Sequence, residues 1–154
     1  MIPKKEYSAK NKILLDAASK EGVTRKAVKL VIMQGPSLLL LRRSAEDNFP
    51  GLFELPGGGL DDHEDIFTAA RRELYEETGL EIGNFISQLE TLDFNIVSGS
   101  VKQKCRQYIF SVSVTGQDII LNPEEHDDYR WAARSEMDTL EILPNTRAVL
   151  QKLF

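Results

Sequence analysis

Residues 56–80 read PGGGLDDHEDIFTAARRELYEETGL, and this stretch decides the fold. Its second half, Asp65 to Thr78, lacks Gly and Pro and is rich in helix formers. It ends at Gly79, a residue suited to the left-handed position that closes a helix. At about 100° per residue, Glu73, Glu76 and Glu77 fall within a wedge of about 100°. Ile66, Ala69 and Ala70 lie in or beside that wedge, with Leu74 and Phe67 flanking it, while Tyr75 and the Arg71/Arg72 side point elsewhere. The three carboxylates therefore continue the face that turns toward the protein.

Like charges three and four residues apart on a helix repel by about 0.2–0.5 kcal/mol even when solvated. Burial raises that cost unless positive charge sits between them. Hard divalent cations such as Mg²⁺ take oxygen ligands and keep part of their shell for water and substrate phosphate. A helix presenting three Glu below a Gly-rich turn is a half-cage for such ions. Ordinary solvated surface is the alternative that the helix alone leaves open.

The wider spacing decides between them. Gly58, Glu64 and then Arg72-Glu73-Leu74-Tyr75-Glu76-Glu77-Thr78-Gly79-Leu80 resemble the Nudix box at every defined position, a far more specific signal than a lone Gly-x-Gly-x-x-Gly. The resemblance implies a metal-dependent pyrophosphohydrolase that cleaves a nucleoside diphosphate linked to another group, with Mg²⁺ as cofactor and Mn²⁺ as its substitute. It implies that Glu73, Glu76 and Glu77 hold the metal, together with a glycine carbonyl from Gly57 or Gly58. Glu64 and Arg72 become orienting residues. Arg72 lies off the Glu wedge, so its expected job is an ion pair with the loop or a neighbouring Glu.

The rest of the composition fits. The chain has 154 residues, with 42% hydrophobic and 28% charged, enough for one domain with a proper core. A net charge of −5 argues against a nucleic-acid polymer as partner and leaves a polyanionic nucleotide open. The single cysteine, Cys105, excludes an internal disulfide and a cysteine-rich zinc site. No apolar run reaches about 18 residues and the charged start lacks a signal-like core, so a cytoplasmic protein without membrane partner is expected.

In chain order, residues 1–26 form an extension with a short helix from a Ser8 cap through Lys20, which either packs on the domain or mediates a homodimer. Residues 27–154 form a single Nudix hydrolase domain. Within it, residues 27–43 read as a hairpin with Gly35-Pro36 at the turn. Arg42 and Arg43 are either solvated edge charges or phosphate-facing cations. Leu52 to Leu55 is a short strand in which Phe53 either packs in the core or contacts a base, and His63 reads as a loop residue. Ile86–Val97 and Val101–Val114 form a second hairpin around Ser98-Gly99-Ser100; Tyr108, Phe110, Val112 and Val114 share one face, with Cys105 and Ile109 opposite. Together with a C-terminal helix this predicts an α+β fold, a Nudix-like α/β/α sandwich with a mixed β-sheet between helices.

A second acidic cluster, Pro123 to Trp131, reads as a surface loop entering a strand. It is similar to the Glu-rich loop that Nudix enzymes place opposite the box helix. Glu125 is the candidate there for a metal ligand or, like Glu73, for the base that takes the water proton, and Asp128 is the runner-up. Glu124 and His126 read as solvent-facing neighbours, and Trp131 as a strand anchor. The tail from Ser135 is helical in two pieces, interrupted at Leu143-Pro144-Asn145; Asn145 either caps the last helix or hydrogen-bonds a purine. The short chain, Arg42-Arg43 and Asn145 lean toward a nucleoside triphosphate, oxidised ones included, giving a monophosphate and pyrophosphate. ADP-ribose or a nucleotide sugar is the alternative substrate, and a non-catalytic nucleotide sensor the alternative of another class.

Overall fold

The computed structural model describes residues 1–116 and 118–154. The box helix forms where the sequence places it, as α2 (Ile66–Thr78). The Asp65 side chain accepts from the Thr68 N–H at its start, and Gly79, at φ 74°, closes its end. Its first free N–H, on Ile66, is taken by the Asn11 side chain of α1 (Tyr7–Lys20) at 2.9 Å. Tyr7 stacks on Phe67 with 4.3 Å between ring centroids, and the Ile2 N–H joins Phe85 O at 2.7 Å. The N-terminal segment is thereby packed onto the domain. Ser8 lies inside α1, which follows a 3-10 turn at Lys4–Glu6 and takes no side-chain cap.

The strands are β1 (Arg25–Val31), β2 (Met33–Gln34), β3 (Ser37–Arg43), β4 (Phe53–Glu54), β5 (Gly57–Gly59), β6 (Glu81–Ser98), β7 (Val101–Thr115) and β8 (His126–Ala133). They form two sheets. One has the order β5-β1-β7-β6 and is mixed, because β1 runs parallel to β7 and antiparallel to β5. The other is antiparallel: β3 pairs β2, β4 and β8. The expected hairpin over 27–43 is therefore corrected. β1 and β3 lie in different sheets, the chain crosses over at Ile32, and the tight hairpin is β2 with β3. The reason is burial: Val28 and Leu30 sit in one core cluster and Val31 in another. Such a strand is central, and β5 and β7 already occupy its two edges.

Two clusters sandwich the sheets. Against α1 and α2 lie Val28, Leu30, Phe85, Tyr108 and Phe110 with Ile66, Ala69 and Leu74. On the other side Val31, Leu40 and Ile109 meet Val149 and Leu150 of α3 (Pro144–Leu153). This is the α/β/α arrangement, with β7 dividing its faces as expected. The tail's first piece is only a 3-10 turn, Arg134–Glu136. Asn145 does not cap α3, since Leu143 holds the cap position and Pro144 the first turn, where a fixed φ and a missing N–H cost nothing. Among the described residues no helix is long and apolar enough to cross a membrane.

Candidate active site

The glycines run as an edge strand against β1, not as a free loop. Gly57 has φ 129°, and a Cβ on it would stand 2.0 Å from Val28 O. A Cβ on Gly58 would stand 2.5 Å from a Glu73 carboxylate oxygen. The first absence lets β5 lie close against β1, and the second lets α2 bring the Glu73 carboxylate against the glycine backbone. The Gly57 N–H donates to Glu77 Oε1 at 2.6 Å.

The three box glutamates sit at different depths. Glu77 is buried, and burial pushes its carboxyl well above the usual range against the opposing pull of Lys29 and the Gly57 N–H. Burial also raises Glu73, with Arg72 opposing. Glu76 departs from the expected inward face: its side chain is 53% exposed. Arg72 gathers the outer pair, with Nη1 2.9 Å from Glu73 and 3.2 Å from Glu76. The other edge of the same guanidinium forks onto Glu64 through two 2.8 Å bonds and donates to Gly59 O at 3.0 Å. Glu64 in turn accepts the Asp61 N–H at 3.0 Å. Arg72 thus ties loop, glycine strand and helix together, and Glu64 holds it there.

Beneath lies a buried polar chain that sequence reading missed. Lys29 Nζ contacts Glu54 Oε1 at 2.9 Å and the carbonyls of Gly57 and Leu55 at 3.1 and 3.4 Å. Glu54 Oε2 receives Arg43 Nη1 at 2.8 Å and meets His126 Nε2 at 3.1 Å. Burial alone would raise the Glu54 carboxyl, but the Lys29 charge, the His126 hydrogen bond and Arg43 together hold it well below the usual range. Lys29 stays protonated although burial opposes it, because Glu54 and Glu77 face it. His126, expected at the surface, is 2% exposed. Its Nδ1 lies 3.5 Å from Glu77 Oε2 and has no hydrogen-bond partner among the described residues. The available signals were a lysine inside the apolar run 27–33 and a glutamate inside LFELPG.

Glu125, in the turn just before β8, is half-buried, and its carbonyl accepts the Ser44 N–H at 3.0 Å. Ligand atoms of Glu77, Glu125 and His126 all lie within 4.8 Å of one another. Two carboxylates beside an unpartnered buried nitrogen suit a divalent cation, so these residues fit the implied metal. Asp128 instead faces Arg42 at 3.8 Å, and Asp127 holds Arg42 Nε at 2.7 Å. Arg43 is committed to Glu54, Asp47 and the Asn48 carbonyl, an inward structural role that displaces its phosphate-facing reading. Phe53 takes the core reading rather than the base contact: at 6% exposure it packs in the second core cluster, where the Arg130 guanidinium lies 5.9 Å from its ring. Asn145 is half-buried in the first turn of α3, and Trp131 packs partly buried on the first cluster. Glu124 is exposed and His63 sits in its loop at φ 65°.

A family model, the NUDIX domain, matches residues 23–153. This chain is a Nudix hydrolase. Among curated relatives, a nucleoside triphosphatase NudI from Enterobacter sp. is 33% identical over 75% of this chain and 87% of its own. An RNA pyrophosphohydrolase from Dinoroseobacter shibae is 29% identical over 84% of this chain and 89% of its own. The solved structure of a MutT protein from Methanosarcina mazei superposes with a TM-score of 0.71 at 25% identity, covering 86% of this Nudix chain and 94% of that one. A MutT Nudix hydrolase from Burkholderia pseudomallei, 22% identical, has the same TM-score over 84% and 98%.

Proposed function

We propose that this Nudix hydrolase is a metal-dependent pyrophosphohydrolase that converts nucleoside triphosphates, oxidised ones included, to monophosphate and pyrophosphate. The observation that carries this reading is the buried Glu77 carboxylate, pinned to the glycine strand beside Glu125 and an imidazole nitrogen without a partner among the described residues. Glu73, Glu76, Glu77 and Glu125, with a carbonyl of Gly57 or Gly58, would hold the ions. Divalent ions held by these residues would neutralise the pyrophosphate oxygens and acidify a coordinated water. Glu73 or Glu125 would serve as the base for the attacking water; burial lifts the Glu73 carboxyl toward that task. Arg72 and Glu64 keep Glu73 and Glu76 aimed. Arg42 and Asn145 remain candidates for phosphate and base contacts, and a homodimer is compatible with the reading.

The NudI relative supports a free triphosphate. The RNA pyrophosphohydrolase relatives favour a second reading, in which the substrate is the 5′ end of an RNA. The net charge of −5 provides no basic track for a polymer, yet a terminal triphosphate needs none. A panel of nucleoside triphosphates, ADP-ribose, nucleotide sugars and a 5′-triphosphate RNA oligonucleotide, assayed with Mg²⁺ and Mn²⁺, separates these. Monophosphate and pyrophosphate from free nucleotides are expected. Turnover confined to RNA ends or to dinucleotides would replace the first reading. Glu77→Gln is expected to lower turnover at least ~100-fold with the fold intact.

A further inference from the structure

The imidazole of His126 is buried with one nitrogen engaged and one free. Nε2 meets Glu54 at 3.1 Å, while Nδ1 points at Glu77 Oε2 from 3.5 Å without a partner among the described residues. A buried polar atom left unpaired costs about 1–3 kcal/mol, so its place needs a cause. An imidazolium bridging both carboxylates is the first explanation to weigh, and two observations oppose it. Glu54 is already matched by Lys29 at 2.9 Å and Arg43 at 2.8 Å, so it needs no third cation. Moreover, 3.5 Å is long for a charge-assisted N–H···O bond, which closes to about 2.7–2.9 Å.

The remaining arrangement has Nε2 against Glu54 and Nδ1 facing Glu77 Oε2 across 3.5 Å. A cation between Nδ1 and Glu77 Oε2 would satisfy the orphaned nitrogen and the carboxylate together. Glu125 adds a third donor within 4.8 Å. A carboxylate that receives the far N–H of an imidazole fixes the tautomer and makes the near nitrogen a better ligand. Glu54 stands in that position, itself locked by Lys29 and Arg43.

We propose that His126 Nδ1 is a ligand of the divalent ion that Glu77 and Glu125 hold, which gives this centre a nitrogen donor and a preference for Mn²⁺ over Mg²⁺. Mg²⁺ demands oxygen ligands in a near-ideal octahedron, whereas Mn²⁺, a first-row transition ion, accepts one imidazole nitrogen in an otherwise oxygen-rich shell. This inference rests on the metal-dependent reading above, and one experiment separates the two. The full chain is loaded with Mn²⁺, binding is counted by EPR, and nitrogen coupling to the bound ion is read by electron spin-echo modulation. Samples with natural and with ¹⁵N-labelled histidine are compared. The expected result is bound Mn²⁺ with directly coordinated ¹⁴N modulation, replaced by the ¹⁵N pattern on labelling. His63→Gln keeps the signal, because that loop histidine is outside the cluster.

His126→Gln is expected to lose the nitrogen signal and to weaken Mn²⁺ binding at least tenfold, with a smaller change for Mg²⁺. The labelled wild-type sample does not depend on that variant folding. Bound Mn²⁺ without nitrogen modulation overturns the ligand assignment and leaves the metal-dependent reading standing. No bound Mn²⁺ at all overturns both.

Discussion

One helix carries acidic groups into two different environments. At the outer end of the site, Glu64, Glu73 and Glu76 share Arg72 near solvent, each within 3.2 Å of its guanidinium. At the inner end, Glu77 is buried beside His126, Glu54 and Lys29, and its carboxyl is lifted well above the usual range. The outer carboxylates share one arginine, and Glu76 also meets water, although burial still raises the Glu73 carboxyl. Inner ones are costly. The difference teaches that fold and chemistry are entangled only at depth: inner substitutions move stability and activity together, outer ones activity alone.

The comparison can be broken most severely at the glycine strand. Gly57→Ala places a Cβ against the Val28 carbonyl at a φ that side chains avoid, and loss of soluble folded protein is expected in an expression and circular-dichroism test. Gly58→Ala meets only the end of the Glu73 side chain; it should fold and lose turnover. Next comes Lys29→Met, which strips an inner cation from Glu54. Breaking a buried pair costs about 3–5 kcal/mol, so the melting temperature should fall by roughly 10 °C or more. A change of a degree or two would mean that Arg43 and His126 suffice.

At the outer end the contrast sharpens. Glu76→Gln is expected to cut turnover at saturating Mg²⁺ by about 100-fold or more while leaving the melting temperature within a degree. Unchanged hydrolysis would remove Glu76 from the mechanism. The smallest effect concerns acid. Glu54 titrates below its unfolded value, so its stabilisation is present above that value and is lost as pH falls. Denaturant titrations below about pH 4 should show a steeper loss for the wild type than for Glu54→Gln. Parallel curves would show that the inner chain does not hold Glu54 ionised.

What the sequence revealed follows the same division. Helix α2, its Gly79 stop and the faces of β7 were legible, because periodicity and capping are local. The box residues were legible as a pattern, and the structure brings Glu64, Arg72, Glu73, Glu77 and Glu125 to one end of the sheets. The inner chain was not legible. Lys29, Glu54 and His126 come from β1, β4 and β8, and only the crossing of the chain between two sheets at Ile32 puts them side by side. The same crossing turned Arg43 inward. Phe53 and Asn145 stayed ambiguous for a local reason: an aromatic before a glycine turn and an Asn near a helix start each have two ordinary uses, and the structure chose the core for Phe53 and excluded the cap for Asn145.

The central claim is that the inner carboxylate is tolerated because a cation binds there. Thermal unfolding of wild type and Glu77→Gln, each with and without Mg²⁺, tests it most directly. Ligand present at about 100 times its dissociation constant adds about 2.7 kcal/mol to the folded state. The account predicts a clear Mg²⁺-induced rise for the wild type. For Glu77→Gln it predicts a metal-free melting temperature equal or higher and little response to Mg²⁺. An equal Mg²⁺-induced rise in both proteins would contradict it.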